Sequence, residues 1–284
     1  MKLNSALPSL AVLTLGVSLT ANAQLNAPNG LAFDGSGNLW LANKGSNQLL
    51  ELNPSNGHVI NTITAGLNGP TRVTLAHGLL FVANFTGNNI TVYNPHTLKL
   101  VRTITNRAFV NPLGVAVDAY GDVYVGNNQA NTVTAINVSG GLVETLGRDK
   151  SGFQFTAPGA ITIHGRKIFA GFGPGFGENA VISYNVGEFL TNDPQEITVY
   201  TDTVNTGPTG IAFDAQENVY IADFYSETWV KYSPDGKLLL VVKQGVLTPE
   251  GIALDCSGNV YVSNENLNNI TVYNSSGTLI NTLN

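Results

Sequence analysis

Any chemistry in this chain has to come from few ionisable groups. Its 284 residues include 13 Lys or Arg, 19 Asp or Glu and 4 His, whereas about a quarter of an average soluble domain is charged. The residues best placed for chemistry fall into two recurrent sets. One set follows six regularly spaced prolines: Asn29, Thr71, Leu113, Gly159, Thr209 and Glu250. The other ends the second apolar segment after each proline: Asn43, Asn84, Asn127, Phe172, Asp223 and Asn264. If both sets open on one face, they form a ring of amides and hydroxyls that includes two carboxylates, Asp223 and Glu250. Oxygen donors of this kind suit a hard cation such as Ca²⁺. They equally suit a hydrogen-bonded small molecule or protein segment. Asn and Asp also end strands for purely structural reasons, because they favour turns, so both readings stay open at this point.

The elements that must position these residues are repeats. Pro28, Pro70, Pro112, Pro158, Pro208 and Pro249 are spaced 42, 42, 46, 50 and 41 residues apart. Four of them open closely similar stretches: Asn29-Gly30-Leu31-Ala32-Phe33-Asp34, Leu113-Gly114-Val115-Ala116-Val117-Asp118, Thr209-Gly210-Ile211-Ala212-Phe213-Asp214 and Glu250-Gly251-Ile252-Ala253-Leu254-Asp255. Pro70 and Pro158 open degenerate copies. A period of about 43 residues lies in the range of four-stranded propeller blades. The first unit reads as strands over Leu31–Asp34, Leu39–Ala42, Gln48–Leu52 and Val59–Ile63, separated by Gly-, Asn- and Pro-rich turns. Short strands at such spacing indicate an all-β fold. The prediction is a six-bladed β-propeller of four-stranded antiparallel blades, with residues 24–284 forming one domain. In it, the glycines after the prolines allow close approach at the channel. The motif aspartates hold tight turns by accepting backbone N–H groups two residues on. Few residues remain for a strand exchanged between the first and last blades, so closure is expected to rest on face packing. The 34 asparagines, about one residue in eight, are read as turn residues.

Residues 1–23 read as a cleavable export signal. Lys2 precedes an apolar stretch over Leu7–Leu19, and Ala21-Asn22-Ala23 is an A-x-A cleavage site. The stretch is shorter than the roughly 20 apolar residues of a membrane span. The expectation is a secreted or periplasmic monomer that does not span the membrane.

Several chemistries are excluded. A pI near 5.1 argues against phosphate neutralisation and hence against a nucleic-acid partner. The lone Cys256 excludes an intramolecular disulfide framework. No Ser has glycine at both minus two and plus two, so there is no nucleophile elbow. The run Gly171-Phe172-Gly173-Pro174-Gly175-Phe176-Gly177 lacks the Lys-Ser/Thr of a phosphate loop. It reads as an enlarged loop of blade four, and with Phe85, Phe224 and Tyr225 it places aromatics near the ring. His58, His77, His96 and His164 all fall in turns on the opposite face, away from the carboxylates.

Segments such as Pro208–Asp223 and Pro249–Asn264 resemble NHL repeats, and the resemblance extends over the whole of residues 24–284. It departs from the family pattern at the third strand, where Gln48, Ile90, Val133, Trp229 and Ile270 stand in place of the usual Arg. His77-Gly78 and His164-Gly165 also replace the Asp-x-x-Gly turn. The missing arginines weaken the RNA-binding role known for some NHL propellers. The ring is also similar to that of calcium-dependent gluconolactonase-like propellers, which hold a metal in the channel with Glu, Asn and Asp. That resemblance implies Glu250, Asn29 and Asp223 as Ca²⁺ ligands. An amidating-lyase-like site would require channel histidines, which are missing. Without a complete catalytic set, the expected function is a binding or scaffold module for a protein or small ligand. The alternative is a calcium-dependent hydrolase of lactone type.

Overall fold

The computed structural model describes residues 24–137, 139–173, 180–191, 196–200 and 207–284. Residues 1–23, read above as an export signal, and residues 174–177 of the glycine-rich run lie outside the described residues. Six antiparallel sheets of four strands, each in simple sequence order, are arranged in a ring. The chain is therefore a six-bladed β-propeller. Blade one contains Pro28–Phe33, Leu39–Asn43, Gln48–Leu52 and Val59–Ile63. Blade six contains Pro249–Leu254, Val260–Asn264, Asn269–Tyr273 and Leu279–Leu283. In every blade but the fourth, whose inner strand is Ala160–His164, the innermost strand begins at the marker proline, which in blade one is three residues earlier than the apolar pattern suggests. It is irregular there, with the register shifting between Pro28 and Leu31. Proline is tolerated at that position because it is the first residue of an edge strand, whose missing N–H breaks no ladder.

Side chains alternate between the two faces of a strand, and here each face meets a neighbouring blade. Leu39 and Leu41 of blade one join Tyr261, Ile270 and Val272 of blade six in one apolar cluster. Trp40, between them in sequence, joins Val73, Leu80 and Val82 of blade two in another. Such clusters fill the interfaces all round the ring. A strand buried on both sides must be apolar at nearly every position, which is why Leu39–Asn43 is buried throughout. The motif aspartates behave as read: Asp34 Oδ1 accepts the N–H groups of Ser36 and Asn38 at 2.9 and 3.0 Å. Asp214 and Asp255 do the same in their own blades.

Asparagine does more than turn the chain. Asn47, Asn88, Asn131 and Asn268, in the loops between second and third strands, adopt left-handed conformations with φ of 52, 49, 55 and 52°. Each uses Oδ1 to accept a backbone N–H of the next blade just before its inner strand. The donors are Gly69, Asn111, Ala157 and Ala27, at 2.7, 2.7, 2.8 and 2.8 Å. The last of these bonds joins blade six to the start of blade one.

Among the described residues, no strand is shared across that joint. Closure comes from packing, as expected, and from the segment preceding Pro28. Leu25 is buried within the cluster between blades one and six, and the Asn26 carbonyl accepts the Gly45 N–H at 2.9 Å. Lys44 and Glu265 bridge the same joint at 3.0 Å. This pair is part-exposed and contributes little, about 0–1 kcal/mol. Leu25→Ala is expected to destabilise the ring by about 2–5 kcal/mol, the range for a buried Leu truncation. Urea unfolding of residues 24–284 checks this, and an unchanged midpoint would show that closure does not depend on Leu25.

Candidate functional site at the channel

The inner strands of the six blades surround the central channel. Their first residues lie at what we call the upper face, together with the ends of the second strands. The turns between first and second strands lie at the lower face. His77 is in one of those lower turns and meets the Asp118 carbonyl at 2.8 Å, whereas His164 is the last residue of its inner strand, just before the turn, and meets Glu217 at 2.9 Å. His58 and His96, between third and fourth strands, are on the lower side too.

Of the two sets of upper residues, the one ending the second strands is engaged within its own blade. Asn43, Asn84, Asn127 and Asn264 are fully buried. Their Oδ1 atoms accept the backbone N–H groups of Asn26, Asn68, Val110 and Leu247 at 2.8–3.2 Å. Asp223 follows the same plan, with Oδ2 accepting from Gly207 at 3.0 Å and Oδ1 from Ser226 at 2.9 Å. Phe172 is buried in the aromatic core, stacked on Phe155 at 4.7 Å. These side chains hold the loop leading into each inner strand, so backbone groups that would otherwise be buried unpaired find a partner.

The set following the prolines divides differently. Thr209 Oγ1 donates to the Pro249 carbonyl at 2.7 Å, linking blades five and six. Thr71 Oγ1 lies 3.3 Å from the Pro112 and Leu113 carbonyls of blade three. Asn29 and Glu250 are left over. Both amide atoms of Asn29 and Oε2 of Glu250 are buried without a hydrogen-bond partner. They come from neighbouring inner strands in such close contact that a Cβ on Gly251 would sit 2.5 Å from the Asn29 carbonyl oxygen. Only glycine fits there.

Glu250 lies on a small pocket of about 150 Å³ at the upper face. Its wall includes Leu113, Gly159, Thr209, Phe224 and Tyr225. Burial pushes the Glu250 carboxyl up to about 7, with the neighbouring Glu265 raising it further, while Lys44 and Arg72 pull it down. Desolvation outweighs the cations because removing a carboxylate from water is expensive.

Arg72 is the residue that sequence reasoning missed. Gly30, Gly114, Gly210 and Gly251 occupy the third position of the motif, and Ala160 takes it in blade four. Blade two has Arg72 there. Its guanidinium crosses the channel, Nη1 donating to the Glu250 carbonyl at 3.2 Å and Nη2 to the Thr209 carbonyl. It passes Gly30 so closely that a Cβ there would lie 3.0 Å from Arg72 Cδ. The signal was present in the sequence: one large cation stands where the other copies carry glycine or alanine. Desolvation pushes Arg72 down to about 10, partly offset by the field of Glu250.

No protein-family model matches the chain, and no curated protein matches it by sequence. Solved structures share its fold. Virginiamycin B lyase from Staphylococcus aureus superposes with a TM-score of 0.67 at 15% identity, covering 91% of this chain and 84% of the other. A streptogramin B lyase gives 0.67 at 13% identity, over 92% and 84%. A catalytically inactive histidine-to-alanine variant of the S. aureus lyase, with quinupristin, gives 0.66 at 15% identity, over 90% and 84%. At such identities the likeness defines the fold, a six-bladed β-propeller, and not the activity.

The raised Glu250 carboxyl has a consequence for stability. A group that holds its proton more tightly when folded contributes stability below its unfolded value, near 4.5, and loses it as pH rises through about 7. The wild-type urea midpoint is therefore expected to fall over that interval more than that of Glu250→Gln. Parallel pH profiles for the two proteins would contradict this.

Proposed function

We propose that the protein is an exported propeller that acts as a binding module, taking a small molecule or a protein segment at the upper mouth of its channel. The observation that carries this reading is the Glu250 carboxyl, buried on the wall of an open pocket with one oxygen unpaired. An unsatisfied buried acceptor costs about 1–3 kcal/mol, which a donor on a ligand would recover. Phe224 and Tyr225, edge to face at 5.1 Å, offer ring surfaces for an apolar portion of that ligand. The best-matched group is an ammonium or amide N–H beside a small ring. Export rests on Lys2, the apolar stretch and Ala21-Asn22-Ala23. Among the described residues, no helix is long and apolar enough to cross a membrane.

The structural neighbours are lyases, one of them described as inactive once a histidine is replaced. The four histidines of this chain are placed on the lower side, which supports ligand capture over lyase chemistry. A calcium-dependent, lactonase-like hydrolase is the second reading, favoured by the unpaired atoms of Asn29 and Glu250. Ca²⁺ there would polarise a carbonyl and activate water. Its third ligand would be Asp223, whose two oxygens already accept main-chain N–H groups, and Ca²⁺ takes about 6–8 oxygens. The donor set is thin, so binding remains the reading adopted.

Calorimetry on the mature protein with benzylammonium and benzyl alcohol tests the proposal. Benzylammonium is expected to bind more tightly, increasingly so as pH rises through about 7 and Glu250 ionises, and Glu250→Gln is expected to abolish the preference. If benzylammonium does not bind, the proposal fails. Lactone hydrolysis that requires added Ca²⁺ and disappears in Glu250→Gln would establish the second reading instead.

A further inference from the structure

Below the Arg72 crossbar the channel holds a second cavity, separate from the Glu250 pocket. It has a volume of about 380 Å³ and is walled by all six inner strands. We propose that this lower cavity binds a small hydroxylated carboxylate, with its anionic group held by the guanidinium of Arg72.

Charge is the first argument. Among the described residues, Arg72 is the one ionisable residue on the cavity wall, in a chain whose net charge is −6. It is 7% exposed, and its Nε is buried without a partner although both terminal nitrogens are engaged. Those partners are neutral carbonyls. The carboxylate whose field reaches it, Glu250, lines the other pocket and prefers to keep its proton up to about 7. The lower-face aspartates are committed too, since Asp34, Asp118, Asp214 and Asp255 each accept two N–H groups from their own turns. A buried cation without an anionic partner is costly. A carboxylate entering from the lower mouth would bring the guanidinium, which lines this cavity, an anionic partner.

The wall decides the rest of the ligand. Every inner strand is the edge of its own sheet, so its outer edge has no strand partner. These edges turn main-chain N–H and C=O groups toward the channel, and Thr162 adds a hydroxyl to the wall. A purely aliphatic ligand would leave these groups unpaired, whereas hydroxyls can both donate and accept. Four carbons with hydroxyls and a carboxylate fit within the volume.

The test is calorimetry at neutral pH with tartrate, its uncharged four-carbon counterpart erythritol, and sulfate. Tartrate is expected to bind one per chain, at least tenfold more tightly than erythritol or sulfate. Arg72→Met should remove the preference. Because that change takes out an interior crossbar and can unfold the ring, Thr162→Trp serves as the second variant. It fills the cavity and leaves Arg72 in place, and with folding verified by circular dichroism it should weaken tartrate at least tenfold. The proposal is overturned by any of four results: no tartrate binding, equal affinity for erythritol, equal affinity for sulfate, or undiminished tartrate binding in Thr162→Trp. Benzylammonium binding at Glu250 reports separately on the upper pocket.

Discussion

A four-stranded sheet with apolar side chains on both faces is insoluble by itself, and the whole structure follows from that constraint. Each blade must be covered on both sides, so the six must close into a ring. Closure is where the constraint bears hardest, because blades six and one share no strand. Their joint relies on what a propeller interface ordinarily has, apolar packing between Leu39, Leu41, Tyr261 and Val272. It adds Leu25 as a wedge and the Asn268 bond to the Ala27 N–H. The asparagine bonds that lead from blades one, two and three to the next blade are of the same kind, so the closing interface reuses a device found at those joints.

Ring closure also sets the terms for the channel. Six inner strands converge there, and the backbone of one approaches the next too closely for most side chains. Glycine at Gly251 and Gly30 is required by that crowding. The space given up by these glycines lets a single long side chain run across the channel, and Arg72 takes it. An upper pocket carries an acid, Glu250, on its wall, and a lower cavity carries a cation, Arg72, on its own. The two ionisable groups influence each other through a poorly solvated interior, where such interactions are strong. Neither is paired by a direct side-chain contact to the other.

Much of this was legible in the chain. The spaced prolines, the Gly-x-Ala-x-Asp motif and the turn residues reveal six blades, because repetition imposes the same local geometry on each copy. The aspartate turns were readable for the same reason, since Asp34 reaches only its own neighbours in sequence. The two sets of candidate residues do lie at one end of the blades, with Pro28 paired to Asn43, Pro70 to Asn84, Pro112 to Asn127, Pro208 to Asp223 and Pro249 to Asn264, but they could not be sorted from sequence. Asn43 and Asn29 look alike as residues, yet Asn43 is held by the Asn26 N–H while both amide atoms of Asn29 are unpaired.

Local sequence therefore determined which residues form strands, where the turns fall and how many blades result, since these depend on contacts within a few residues. Tertiary structure decided which polar groups are used up and which remain. Those outcomes depend on partners far apart in the chain, as when Arg72 reaches the carbonyls of Thr209 and Glu250 across the ring. Burial, which lifts the Glu250 proton affinity and depresses that of Arg72, is likewise a property of the closed ring and of no segment within it.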